Sequence, residues 1–231
     1  ALAESTREYR TEQGKLTAAF ETNGFAADTA RETYEALNGV LGDSGQAVEA
    51  ANHLAKLTDN EQELNTWTKI CTGVFATFGD SLPIEGLTEA ANETAKVGQL
   101  TGSLADALNW AGVNEEAFQA QLDACTSEQE RQALITKTLN GLYSEAADKY
   151  REVNGEVIAA NEAQDRLNNA LAQVGAAVEP VVTKFKNLAA TLLTTLMPAI
   201  MVLADYFIVA VDWMIKALGD ANKWVDENGD K

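Results

Sequence analysis

Histidine occurs once in this 231-residue chain, at His53, cysteine twice, at Cys71 and Cys125, and proline three times, at Pro83, Pro180 and Pro198. A lone histidine without a nearby cysteine, together with two cysteines far apart and no CxxC, excludes a recognisable zinc site and a disulfide framework. Two buried free thiols are expected instead. Basic residues are also scarce: 17 Lys and Arg stand against 35 Asp and Glu, for a net charge of −18 and an isoelectric point near 4.3. Such a surface repels phosphate backbones, and no cluster of Lys and Arg interleaved with aromatics offsets it, so direct nucleic-acid binding is not expected. Sustained alternation of β-branched and aromatic residues is missing too, which argues against a sheet.

What fills the chain is Ala, Leu, Glu, Gln and Thr, with apolar residues at helical spacing almost throughout. Hydrophobic residues make up 46%, enough for one sizeable core or two small domains. The fold class is therefore all-α: a bundle of short to medium helices followed by long, partly hydrophobic ones. Helix punctuation predicts a first helix ending near Thr22 at Asn23-Gly24, a second over residues 28–41 stopped by Gly42, a third over 44–57 and a fourth over 60–78 stopped by Gly79. Shorter helices follow near 104–112 and after Asn114. Thr126, with Gln129 three residues on, reads as a capping box opening a longer helix. From about Ser144 to Leu218 only Gly155, Gly175, Pro180 and Pro198 interrupt helical residues, so one or two very long helices are expected. The chain divides on this reading into a multi-helix region (1–150), a long amphipathic to hydrophobic helical region (151–219) and a polar tail (220–231). No internal repeat is evident. The chain begins with Ala and shows no signal peptide, which suggests a processed product or a fragment.

The tetrapeptide Gly79-Asp80-Ser81-Leu82 is the nucleophile signature of a group of serine esterases. A serine nucleophile needs a base and oxyanion donors. In that group these come from a Gly-x-Asn-Asp block and a late Asp-x-x-His, and neither is present: no Asn-Asp dipeptide occurs, and His53 lies upstream of the serine with Ala50 three residues before it. Ser81 instead stands two residues before Pro83, with Glu85 following, where a helix N-cap is expected. No catalytic, cofactor or metal site is predicted. The pairs Glu61/Glu63 and Glu115/Glu116 read as solvated faces. Trp67, Trp110, Trp213 and Trp224 read as core packing, and His53 as structural or exposed.

The most apolar stretch is NLAATLLTTLMPAIMVLADYFIVAVDWMIKALG, residues 187–219. The uncharged run between Lys186 and Asp205 is at the lower limit for crossing a bilayer about 30 Å thick. On a helical wheel Asn187, Thr191, Thr194, Asp205, Asp212 and Lys216 all fall within about 40° of Asp205. Asp212 and Lys216 have the spacing of an ion pair, and Pro198, in the same stripe, is expected to kink the helix. A single lipid-spanning helix would not be expected to carry two aspartates on one line. Two arrangements tolerate the stripe: a helix packed in protein with its polar line facing water, or a membrane bundle whose polar line faces a pore.

Four stretches resemble the tape measure proteins of long-tailed bacteriophages and prophages: WTKICTGVFATFGDSLPIEGLTEAANETAKVGQ (67–99), GSLADALNWAGVNEEAFQ (102–119), CTSEQERQALITKTLNGLY (125–143) and AADKYREVNGEVIAANEAQDRLNNALA (146–172). With flanking helices the resemblance covers about residues 9–185. It carries no chemical motif and no catalytic residue. It implies a segment of a structural protein that self-associates in the virion, fills the tail tube lumen, sets tail length and leaves before the DNA. The implied partners are tail tube and tail tip proteins, tail assembly chaperones and the host membrane. The implied locations are the tail lumen in the virion, the host cytoplasm during assembly and the host membrane on infection. In this family apolar segments are thought to help carry DNA across the host envelope. The residues alone would equally suit a soluble helical adaptor or a membrane-active helical bundle.

Overall fold

A computed structural model describes residue 4 and residues 6–228, the backbone alone for 224–228. Every regular element among the described residues is helical, as the scarcity of proline and the 3.6-residue periodicity require. The elements are α1 (Arg7–Thr22), α2 (Ala27–Leu41), α3 (Ser44–Leu57), α4 (Glu61–Phe78), a 3-10 turn (Gly79–Ser81), α5 (Ile84–Val97), α6 (Gly102–Trp110), α7 (Glu115–Ala124) and α8 (Glu128–Asn228). Glycines end the helices where a left-handed residue is needed: Gly42 (φ 66°) and Gly98 (φ 81°) close α2 and α5. Asp43, Asn60 and Asn114 cap α3, α4 and α7 by accepting from Gln46 N, Glu63 N and Ala117 N.

The chain forms two compact units, Ala1–Gly175 and Ala176–Lys231. In the first, α3 packs on α5 and α2, α1 joins α2 and α3, and α6 lies against α5. Their apolar faces meet in one core that includes Leu16, Phe20, Leu54, Trp67, Leu87 and Phe118, all fully buried. Each buried Leu or Phe contributes about 1.5–3 kcal/mol relative to an exposed one. The α4 face expected from sequence is the buried one, with Trp67, Ile70, Cys71 and Val74 in the core and Phe78 half-buried. The start of α8 lies across α4, where Trp67 Nε1 donates to Thr136 Oγ1 (2.9 Å) and Gly73 admits the backbone of Tyr143. The Tyr143 hydroxyl donates to the Ala107 carbonyl. Arg131 donates from Nε to Ala95 O (2.6 Å) and from Nη2 to Lys96 O (3.2 Å), placing a cation on the unpaired carbonyls at the end of α5.

Two capping expectations are corrected. Ser81 does not cap α5; the cap position is Pro83, without a side-chain hydrogen bond. A Ser81 cap would require Leu82 to be helical. The following proline pushes Leu82 towards extended geometry, and it sits at φ −135°, ψ 88°, with its side chain buried. At the start of α8 the capping box lies one residue later than Thr126/Gln129. Ser127 Oγ accepts from Glu130 N (3.2 Å), and the Glu130 carboxylate accepts from the amide (2.6 Å) and hydroxyl (3.0 Å) of Thr126. The bonds from Thr126 hold the Glu130 carboxyl below the usual carboxylate range.

Within unit 1, α8 departs from helical dihedrals only at Asn154 (φ −108°, ψ 18°). Residues 155–175 then lie against α1 and α2, so the unit extends beyond residue 150. Asn161 Nδ2 donates to Gly39 O (2.9 Å). Asp165 accepts from the hydroxyls of Tyr34 (2.9 Å) and Tyr9 (3.3 Å).

The described part of unit 2, residues 176–228, is a single helix, roughly 80 Å long at 1.5 Å per residue. The dihedrals stay helical through Pro180 and Pro198. Residues 229–231 of the expected polar tail lie outside the described residues.

Candidate functional site

The stripe residues Asn187, Thr191, Thr194, Asp205, Asp212 and Lys216 all lie on the helix of unit 2. All six side chains are exposed on that helix, and so are most of the apolar residues around them. A lone helix offers its apolar surface no partner of its own. It contains an 18-residue window of mean hydropathy 1.9, long and apolar enough to cross a membrane by length and composition.

The polar line is largely satisfied from within. Thr191 Oγ1 donates to Asn187 O (2.8 Å), and Thr194 Oγ1 donates to Ala190 O (2.9 Å) and Thr191 O (3.1 Å). Hydroxyls bonded back to the preceding turn cost less to place in an apolar medium than free ones. Pro198 has no N–H, so it leaves the Thr194 carbonyl without its helical donor on the same side. The carboxylates are different. Asp212 and Lys216 keep the i,i+4 spacing, and no ion pair joins them in the structure. Neither Asp205 nor Asp212 accepts a hydrogen bond from a described residue.

Of the other sequence candidates, Glu61 and Glu63 have structural partners. Glu61 accepts from Thr29 Oγ1 (3.0 Å), while Glu63 accepts from Asp59 N (3.0 Å) and Asn60 Nδ2 (2.9 Å) at the start of α4. These two acids therefore tie different elements and do not face each other as an acid/base pair. Ser81 is exposed on the turn after α4. His53 is half-buried on α3, and burial lowers its pKa, with Glu89 opposing. Cys71 is buried, its thiol pushed up to about 12, whereas Cys125, expected to be buried, is partly exposed. Of the tryptophans expected in the core, Trp67 is there. Trp110 and Trp213 are exposed, and the Trp224 side chain lies outside the described residues. Trp110 packs edge-on against Phe78 at 5.2 Å. Among the described residues no three His, Cys, Asp or Glu side chains gather as metal ligands.

One cluster had no sequence signal. Asp165 is 2% exposed, and burial raises its carboxyl above the ordinary range, while the bonds from Tyr34 and Tyr9 pull it back. The two phenols are raised in turn by burial and by the carboxylate beside them. Asp165 looks in sequence like any acid on an acidic helix; only the packing of α8 on α1 and α2 distinguishes it.

Comparison of the chain with protein-family models, with curated proteins and with solved structures gives no match in any of the three.

Proposed function

We propose that this chain is a segment of a phage tail tape measure protein, a structural component of the tail lumen whose apolar helix meets the host membrane during DNA ejection. The observation that carries the reading is unit 2: one helix with exposed apolar sides and a polar stripe from Asn187 to Lys216. A surface of this kind needs a partner, in the form of other helices or lipid. A lumenal assembly supplies the first and ejection the second. The four stretches that resemble tape measure proteins, which run through α4 to α8, support the same role. No catalytic role belongs to this reading, and Ser81 is a residue of a surface turn.

The test is composition and location. Antibody to unit 1 should detect the chain in purified tails together with tail tube and tail tip proteins, and the signal should leave the particle when DNA is ejected. A chain absent from assembled tails refutes the proposal. The alternative of a soluble adaptor or membrane-active bundle is favoured by the same exposed helix, and it is retained if the chain is found only outside particles.

A further inference from the structure

We infer that residues 155–175 of α8 are a strap that opens as a unit at Asn154 while the helices it lies on stay folded. On either side of that residue α8 is attached to unit 1 in different ways. Before it, Ile135, Leu139 and Tyr143 enter the common apolar core. After it, the buried residues are Asp165, Ala172 and Gly175, Ile158 is half-buried, and Val157, Leu167, Leu171 and Val174 are exposed. A segment with few buried apolar side chains opens at a lower free energy than the core does. The strap is such a segment.

What holds it is polar and replaceable by water. Asn161 Nδ2 donates to the Gly39 carbonyl (2.9 Å), which lies in the last turn of α2, where carbonyls lack a donor within the helix and water can serve instead. Among the described residues, the groups bonded to Asp165 are two neutral hydroxyls, of Tyr34 (2.9 Å) and Tyr9 (3.3 Å), while the neighbouring Arg166 turns to Glu162 (3.9 Å). A carboxylate buried without a bonded cation is held against its own solvation, and opening restores that solvation. Hydrogen bonding and desolvation therefore oppose each other in the closed strap.

The hinge is already built. Asn154 (φ −108°, ψ 18°) separates two helical stretches, and its Nδ2 bonds back to Tyr150 O (3.2 Å). Gly155 follows, with nothing within 4 Å of the place a Cβ would occupy, and beside it lies a cavity of about 200 Å³ lined also by Ala36, Val40, Arg151, Ile158 and Glu162. Close packing, which resists movement in a core, is interrupted there.

The experiment reads the strap against the core of the same molecule. In the full chain with Cys125→Ser, the thiol introduced by Ala172→Cys reports opening of the strap, and the native Cys71 thiol, buried in the core, reports unfolding of the bundle. Labelling by a thiol reagent, resolved by peptide mass spectrometry, should be at least about a hundredfold faster at 172 than at Cys71, with a shallower dependence on urea, because opening exposes less surface than unfolding. Tyr34→Phe, which removes the shorter bond to Asp165, should speed labelling at 172 about tenfold. Equal rates and equal urea slopes at the two positions, or a rate at 172 that Tyr34→Phe leaves unchanged, overturns the inference. To exclude loosening by the introduced cysteine itself, hydrogen exchange of the unsubstituted chain makes the same comparison: amides 158–174 should exchange with a shallower urea slope than amides 135–147. A common slope there overturns the inference as well. None of these readings depends on whether the chain is found in tails.

Discussion

Gly73 is the position at which one methyl group should have the largest effect on unit 1. It lies in the middle of α4, where alanine is normally better than glycine by about 1 kcal/mol. A Cβ built there would overlap the Tyr143 carbonyl oxygen and stand 2.8 Å from its carbon and 2.9 Å from its Cβ. These are backbone and near-backbone atoms of another helix, so no rotamer change relieves the overlap; α8 must move. Tyr143 is held from its other side by its hydrogen bond to Ala107 O and by its ring against Phe78. Overpacking typically costs about 1–3 kcal/mol, and a rigid obstacle places this case at the upper end or beyond. Net of the helix gain, Gly73→Ala should destabilise by about 2 kcal/mol.

Two other helical glycines calibrate the result. Gly141 meets nothing within 4 Å, so Gly141→Ala should stabilise by about 0.5–1 kcal/mol. Gly39 would meet Glu162 Cγ at 3.2 Å and Ile158 Cγ2 at 3.3 Å, side-chain atoms able to shift, and Gly39→Ala should be close to neutral. Urea unfolding followed by tryptophan fluorescence, compared at equal m-values, reads all three. If Gly73→Ala stabilises as Gly141→Ala does, the crossing of α4 and α8 described here is wrong.

Because the native state raises the Asp165 carboxyl, it binds more protons than the unfolded chain between the ordinary carboxylate value and the raised one, so stability should fall as pH rises through that window. Asp165→Asn should flatten this slope in urea titrations at several pH values, and an unchanged slope would contradict the assignment. Tyr34→Phe removes the shorter of two donors to a buried carboxylate and should cost about 1–3 kcal/mol at neutral pH in the same assay. Ser81→Ala should change stability by less than about 0.5 kcal/mol, since no cap bond is lost, and should leave hydrolysis of short acyl esters at background; activity abolished by the substitution would restore the esterase reading. Liposome leakage caused by the chain should be abolished by Asp205→Leu/Asp212→Leu if the stripe lines a pore, and no lipid binding at any pH or concentration would remove the membrane part of the proposed function.

The helices of unit 1 were legible because local rules govern them. Asn23-Gly24, Gly42 and Gly79 stop α1, α2 and α4 at the expected residues, and the apolar face of α4 is the one that is buried. Where a local rule met a competing one, the reading shifted. The N-cap preference of Ser81 lost to the extended geometry that Pro83 imposes on Leu82, and the capping box moved from Thr126 to Ser127 because Glu130 reaches Thr126 better than Gln129 does. The tryptophans show the limit of hydrophobicity as a guide. Trp67 and Trp213 have similar apolar neighbours in sequence, but one helix has a bundle to enter and the other belongs to a unit consisting of a single helix.

The candidate site illustrates the same division in one element. The polar stripe of 187–219 could be placed by angle alone, because a helix repeats every 3.6 residues whether or not anything touches it. The ion pair between Asp212 and Lys216 could not, because spacing makes such a pair geometrically available and water decides whether it is worth holding two long side chains in place. The way residues 153–174 dock was hidden for a related reason. Two faces of α8 are marked there, one apolar and one rich in Asn, Glu and Asp, and a periodicity argument assigns the apolar face to the core. In the structure the polar face docks, through Asn161 on Gly39 and Asp165 on Tyr9 and Tyr34. Leu167 is exposed on the face turned away from unit 1, so Leu167→Glu should change the urea unfolding of that unit by less than about 0.5 kcal/mol, and a larger loss would mean that this face is the docked one.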